Sequence, residues 1–446
     1  MHSAFRRLNP SFPCLPSSFP RTRVRTGRNA ARIAPGRDCH AGRIAAFARM
    51  THAGAGLLLA SLCAAHAHAG DFKLMGSVSA ESRLFLEGAR FQGQHGANGS
   101  FAVQPEFYYA SADARDSVIF TPFLRADQGD SRRSHGDIRE LAWTRVGDTW
   151  ELRTGIRRVF WGVAESNHLV DIINQTDLVE NLDTEDKLGQ PMLNLALVRD
   201  WGTVDLFVLP GFRARTFPGK SGRLRADPRV DTSSATYESA AEESHVDYAV
   251  RYSHVFGNLD LGLHHFWGTS REPTLRPRRT EAGAPILAPH YPLIHQTGID
   301  ALLTLGNWSL KLEALRRSGQ GDTFCALVGG FEYTFVGVFG TAWDIGALAE
   351  YHRDERDRDI PQPFNDDLFG GARWAVNDMA DTQLLTGIVT DLDGGGRFFN
   401  LEFSRRFGDR WRLEAEMRVF WSAAPPDPLF WVSRDDYVQV QLSRYF

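Results

Sequence analysis

The feature that most constrains this chain is an alternation of apolar and polar residues, repeated over stretches about ten residues long. In "RWRLEAEMRVFW" (410–421), Trp411, Leu413, Ala415, Met417 and Val419 share one parity, and Arg412, Glu414, Glu416 and Arg418 the other. "NWSLKLEAL" sets Trp308, Leu310, Leu312 and Ala314 against Ser309, Lys311 and Glu313. "VDYAVRYSH" and "FAVQPEFYY" repeat the pattern. Successive side chains of a strand point to opposite faces, so each stretch is a strand with one apolar and one polar or charged face. No clear amphipathic helix exceeds a few turns. After the N-terminal region no run of about 18 apolar residues could span a bilayer as a helix.

Alternation alone would also suit a soluble sandwich or propeller. Three features favour a transmembrane antiparallel β-barrel. The apolar faces often begin or end in Trp, Tyr or Phe, as an aromatic girdle requires. The strands are long enough to cross a membrane at a tilt. Short and long connections also alternate. Short turns fall at 111–116, 146–149, 200–203, 256–258, 305–307, 336–341, 376–381 and 407–410. Between them lie polar links at 87–98, 128–135, 160–191, 213–244, 269–290 and 354–365, and 318–322, 391–396 and 422–432 keep the phase. The spacing predicts about 18 strands (16–18), with short periplasmic turns and long outer loops.

The final segment "YVQVQLSRYF" is then the closing strand, which must pair with the first to remove both sheet edges. Its alternation and terminal Phe resemble the signal by which outer-membrane barrels are recognised by their assembly machinery. Val438, Val440, Leu442 and Phe446 carry that resemblance, whereas Arg444 occupies a slot usually apolar or aromatic.

Charge is divided unevenly. Of 50 Lys+Arg and 54 Asp+Glu, ten Arg and Asp38 fall in residues 1–69, leaving 40 against 53 in the rest. So acidic a body disfavours non-specific nucleic-acid binding. Cys14, Cys39 and Cys63 lie in the same N-terminal region, and Cys325 stands alone afterwards, suiting an oxidising compartment. Arg43 and Arg49 precede an apolar run, Ala53–Ala65, and Ala67-His68-Ala69 supplies a small-x-small site. Residues 50–69 are therefore expected to be a signal peptide cleaved after Ala69. Residues 1–49 would be an upstream extension and 70–446 the barrel.

The most unusual stretch follows the fifth strand, at 160–191. So long a link is usually functional or disordered. Leu169, Val170, Ile172, Ile173, Leu178 and Leu182 give it enough apolar content to fold against something. Either it turns inward to narrow the barrel or it packs as an outer lid.

This stretch also resembles the R-x-G…W-G…D-x-x-N-x-x-D pattern of porin-like outer-membrane barrels, an uncharacterised family and more distantly the alginate-export barrels. The matching positions are Arg153, Gly155, Trp161, Gly162, Glu165, Asp171, Asn174 and Asp177. The resemblance implies a single-chain barrel of about this strand number that passes polar solutes.

The leading expectation is a passive channel for small polar or charged solutes in the bacterial outer membrane, in contact with its lipid and lipopolysaccharide. An export conduit for a polysaccharide or other polymer is the alternative, and an outer-membrane enzyme or structural barrel the third reading. Strand parity turns Glu151, Arg153, Gly155 and Arg157 toward the lumen, with Arg412, Glu414, Glu416 and Arg418. An inward link would bring Glu165, Asp171, Asn174, Asp177, Glu180, Asp183, Glu185 and Asp186 there too. Acids opposite arginines would set a transverse field. The plainer expectation is that inward charges pair among themselves, Lys311 with Glu313 and Arg412 with Glu414. The acids of 177–189 lack calcium-loop spacing, and His264, His265 and His352 form no recognisable metal motif, so no cofactor is expected.

Overall fold

The computed structural model describes residues 70–356, 364–421 and 427–446. The expected extension and signal peptide lie outside these residues, as do parts of the 354–365 and 422–432 links.

Eighteen strands form one antiparallel sheet closed on itself. Each strand pairs with the next strand of the wall. The last, Tyr437–Tyr445, pairs with the first, Asp71–Phe85, in register from Ser77↔Tyr445 to Phe85↔Tyr437. Closure leaves no free edge. The expected strand number and closing strand are both realised.

The connections keep the predicted phase. Short turns join strands at one end, for example 200–201, 257–258 and 306–307, and long links join them at the other. The fifth strand ends at Arg157 and the sixth begins at Gln190, so the long segment is 158–189. The links 211–245 and 270–292 are not featureless. They share a small three-stranded sheet made of Thr236–Tyr237, Thr274–Arg279 and Pro285–Tyr291. Pairing between the second and third strands is interrupted around Pro105 and Pro122, where proline offers no N–H to the ladder.

Side-chain parity divides the wall into two surfaces. Outward lie exposed rows such as Leu310 and Leu312 beside Phe331 and Leu327. At the short-turn end, aromatics cluster on this surface: Trp308 lies 4.7 Å from Tyr333, and Trp343 5.1 Å from Trp374. At the long-loop end Tyr248 stacks on Trp267. Inward lie charged residues, among them Glu81, Arg125, Arg139, Glu313, Glu350 and Arg418, all buried. Partners of opposite charge make much of this polar interior tolerable, as in Arg125–Glu81, Arg139–Asp177 and Arg418–Glu416.

A candidate constriction across the lumen

The segment 158–189 folds inward. Its contacts reach strands about half the ring apart, which an outer lid could not do. On one side the backbone N–H groups of Val163 and Ala164 donate to Glu313 Oε1 at 2.6 and 2.8 Å, and that of Val170 donates to Oε2 at 3.1 Å. The N–H groups of Glu165 and Ser166 donate to Glu350. Glu165 itself pairs with Arg373 at 2.7 Å and Lys311 at 3.3 Å. On the other side Asp177 pairs with Arg139 at 2.9 Å, and Glu180 with Arg125 at 3.1 Å and Arg133 at 3.8 Å. Arg83 donates to the Glu180 carbonyl. A third anchor lies near the closing strand, where Asp183 meets Arg418 at 2.8 Å and Asn181 donates to Glu416.

Apolar contacts hold the same course. Trp161, Val170, Ile172 and Ile173 pack against inward-facing Met192, Phe207, Leu209, Ala249, Phe266 and Ile294. Leu169 rests on Leu315, Phe324 and Ala326, and Leu182 joins Leu224, Phe420, Val432 and Tyr437. Burying a side chain as fully as Ile173 contributes about 2 kcal/mol. The inward wall is thus apolar where this segment packs on it, and also at Leu348, Phe369 and Val389.

The residues of the porin-like pattern that lie within the segment each have a structural task. Asn174 closes the base of the segment: its amide donates to the Arg157 and Leu188 carbonyls and accepts from the Val159 N–H. Asp171 accepts from the Trp161 N–H at 3.3 Å and pairs with Lys187. Trp161 lies under the Arg251 guanidinium and beside Phe207. At Gly162 a side chain would meet Glu313 Oε1 at 2.7 Å, and the backbone lies at φ +132°. Glycine there lets the turn approach the carboxylate. Asp177 also accepts from Thr216, tying the segment to the next long link.

The wall residues are placed less simply. Arg153 binds Glu151 at 2.5 Å, Asn194 at 2.9 Å and Asp205 at 3.7 Å, and Arg157 reaches Asn194 at 3.3 Å. Among the described residues neither bonds to the acids expected to oppose it; of these, Asp177 meets Arg139, Glu180 meets Arg125 and Arg133, and Asp183 meets Arg418. The segment's close ion pairs are thus made by arginines other than Arg153 and Arg157. Arg412 does pair with Glu414 at 3.3 Å, and Gln441 donates to Glu414. Glu416 binds Arg418 and Tyr437. Lys311 does not pair with Glu313; it meets Glu165 and Glu332, leaving Glu313 to hold backbone.

Charge within the segment is tuned by burial. Burial pushes the Asp186 carboxyl well above its ordinary range, and the neighbouring Glu180 and Asp183 push it further. For His168 burial works against the charged ring, yet the hydrogen bond and charge of Glu185 hold its pKa up at about 9. Of the other histidines, His264 points inward beside Trp161 while His265, its neighbour, is exposed on the outer face beside Thr297. His352 lies 2.8 Å from the Ser166 hydroxyl, which also donates to Glu350 at 2.6 Å, so the hydroxyl proton is directed to the carboxylate and not to the imidazole.

Sequence reasoning missed Arg83, Arg125, Arg133, Arg139, Glu350 and Arg373. For those on strands the available signal was parity, which turns each of them inward.

Among solved structures the chain is similar to OpdO of Pseudomonas aeruginosa, at 12% identity and TM-score 0.47, over 84% of this chain and 96% of that one. It is also similar to OmpT of Vibrio cholerae, at 10% identity and TM-score 0.41, over 85% and 99%. A mutant of the Rh. blastica porin gives 10% and 0.41, over 84% and 100%. No family model and no curated protein matches the chain.

Proposed function

We propose that this chain is a passive outer-membrane channel for small polar or charged solutes, narrowed by the segment 158–189. The observation that carries this reading is a two-faced wall, apolar outside and charged inside, with a folded segment laid across the interior. Water would not leave so continuous an apolar surface uncovered, whereas a bilayer matches it. Aromatic clusters at both ends suit the two membrane interfaces. The short-turn end then faces the periplasm and the long-loop end the cell exterior. Arg316 and Arg353, exposed on the outward surface near that end, suit lipopolysaccharide phosphates. In this account residues 50–69 direct secretion, and Val438, Val440, Leu442 and Phe446 are read by the barrel-assembly machinery.

A solute crossing such a lumen exchanges its water for fixed charges and dipoles. Because the charges sit in pairs, passage is governed by size and by hydrogen-bonding capacity more than by net charge. Refolded protein in a planar bilayer should show stable unitary conductance steps; turnover of lipid or peptide with no steps would contradict the channel and favour an enzyme.

One observation favours the export conduit as a second reading. Long links meet over one side of the outer mouth, where Arg223 pairs with Asp435 at 2.5 Å and the Gly219 N–H donates to Asp130. A conduit closed at rest would stay silent in the same bilayer until those links were removed.

A further inference from the structure

Above the inward segment, on the long-loop side, lies a cavity with an empty volume of about 880 Å³, counting space open to solvent. Lys187, Arg215, Arg271, Arg317 and Arg356 line it, against Asp171, Glu272 and Asp354. The three acids are all engaged. Asp171 holds Lys187 at 3.2 Å, Glu272 bridges Arg317 at 2.7 Å and Arg356 at 3.1 Å, and Asp354 holds Arg356 at 2.6 Å.

Two guanidinium groups keep spare donors: Arg271 beyond its ion pair with Asp247, and Arg215, whose acidic neighbour Glu272 is already bridged by Arg317 and Arg356. Arg271 is 3% exposed. Its Nη1 donates to Asp247 at 2.6 Å and to the Thr269 carbonyl, and its Nε to the Ile173 carbonyl. Its Nη2 is buried with no hydrogen-bond partner. Arg215 makes one side-chain hydrogen bond, from Nε to Gln175 Oε1 at 3.3 Å, and feels the charge of Glu272 without a close ion pair to it. A buried N–H without an acceptor costs free energy unless something fills the place. Arginine's planar fork matches the paired oxygens of a carboxylate or phosphate. Beside these donors, Leu169, Leu315, Phe324 and Phe364 give the cavity an apolar side for a carbon body.

We propose that this cavity is a binding site for a small oxyanion, a carboxylate or a phosphate, held by Arg215 and Arg271 before it passes the segment. This deepens the channel reading, and rests on it only for the passage that follows binding. Arg271 holds the Ile173 backbone and pairs with Asp247, whereas Arg215 reaches the segment only through a 3.3 Å bond to the Gln175 side chain, so Arg215 is the residue to change.

Calorimetric titration of the detergent-solubilised barrel with succinate and, separately, with inorganic phosphate tests the site without requiring conductance. Saturable binding of either at millimolar concentration is expected, and the better ligand identifies the source of the oxyanion. Arg215→Gln should weaken it about tenfold or more, the size of a lost charge-assisted bond, while Arg215→Lys should retain part of it. Wild-type protein that binds neither ligand overturns the site whatever the variants do. So does an Arg215→Gln barrel that binds as the wild type does. A barrel that binds but never conducts fails as a channel and keeps this site; one that conducts and binds neither loses only the site.

Discussion

At the scale of single residues, Glu313 shows how a charge can serve structure inside a barrel. Fully buried, it accepts from three backbone N–H groups of the inward segment. Its removal would leave those donors without a partner, at about 1–3 kcal/mol each where water cannot replace it. Glu313→Ala should therefore loosen the segment and leave the wall intact. Limited proteolysis should cut between 158 and 189 in the variant only, with both proteins still heat-modifiable on gels. Equal protection would show that the other anchors suffice. The sequence carried half of this: alternation turned Glu313 inward, but nearest-neighbour reasoning paired it with Lys311. A strand puts i and i+2 on one face, yet which of them reaches across the lumen depends on the far wall and on the segment. The same limit hid the partners of Asp177, Glu180 and Asp183.

At the scale of elements, the strands were legible because each encodes its own period, and the turns because Gly, Asn and Asp mark them. The inward course of 158–189 was not legible, since its six apolar residues suited a lid equally well. Inward-facing Met192, Phe207, Phe266 and Ile294 decide the matter, and they are recognisable as exceptions only once the lumen is known to be polar. Closure of the sheet offers a test at this scale. Gly76 and Phe446 exchange backbone hydrogen bonds at 3.1 Å in both directions. A side chain at Gly76 would meet Gln104 O at 2.6 Å and the Phe446 ring at 2.8 Å. Gly76→Val should thus disturb the seam, and deletion of Phe446 should impair assembly more than Arg444→Gln does. Heat-modifiable protein recovered from outer membranes measures both. Wild-type levels of the two damaging variants would remove the seam from the account.

At the scale of the whole molecule, the barrel is a ring with an exposed apolar outer face and an inner face rich in ion pairs, several of them made to one segment. The segment joins strands about half the ring apart, so it also braces the wall. Of the residues that carry the resemblance to porin-like barrels, Trp161, Gly162, Glu165, Asp171, Asn174 and Asp177 fold the segment or fix it to the wall. The direct measurement is unitary conductance in planar bilayers, comparing the wild type with a barrel in which residues 163–186 are replaced by a short Gly-Ser link. The account predicts stable steps for both, with a clearly larger conductance and weaker solute discrimination after the excision. Equal conductance in the two barrels would place the narrowest point elsewhere and contradict the central claim.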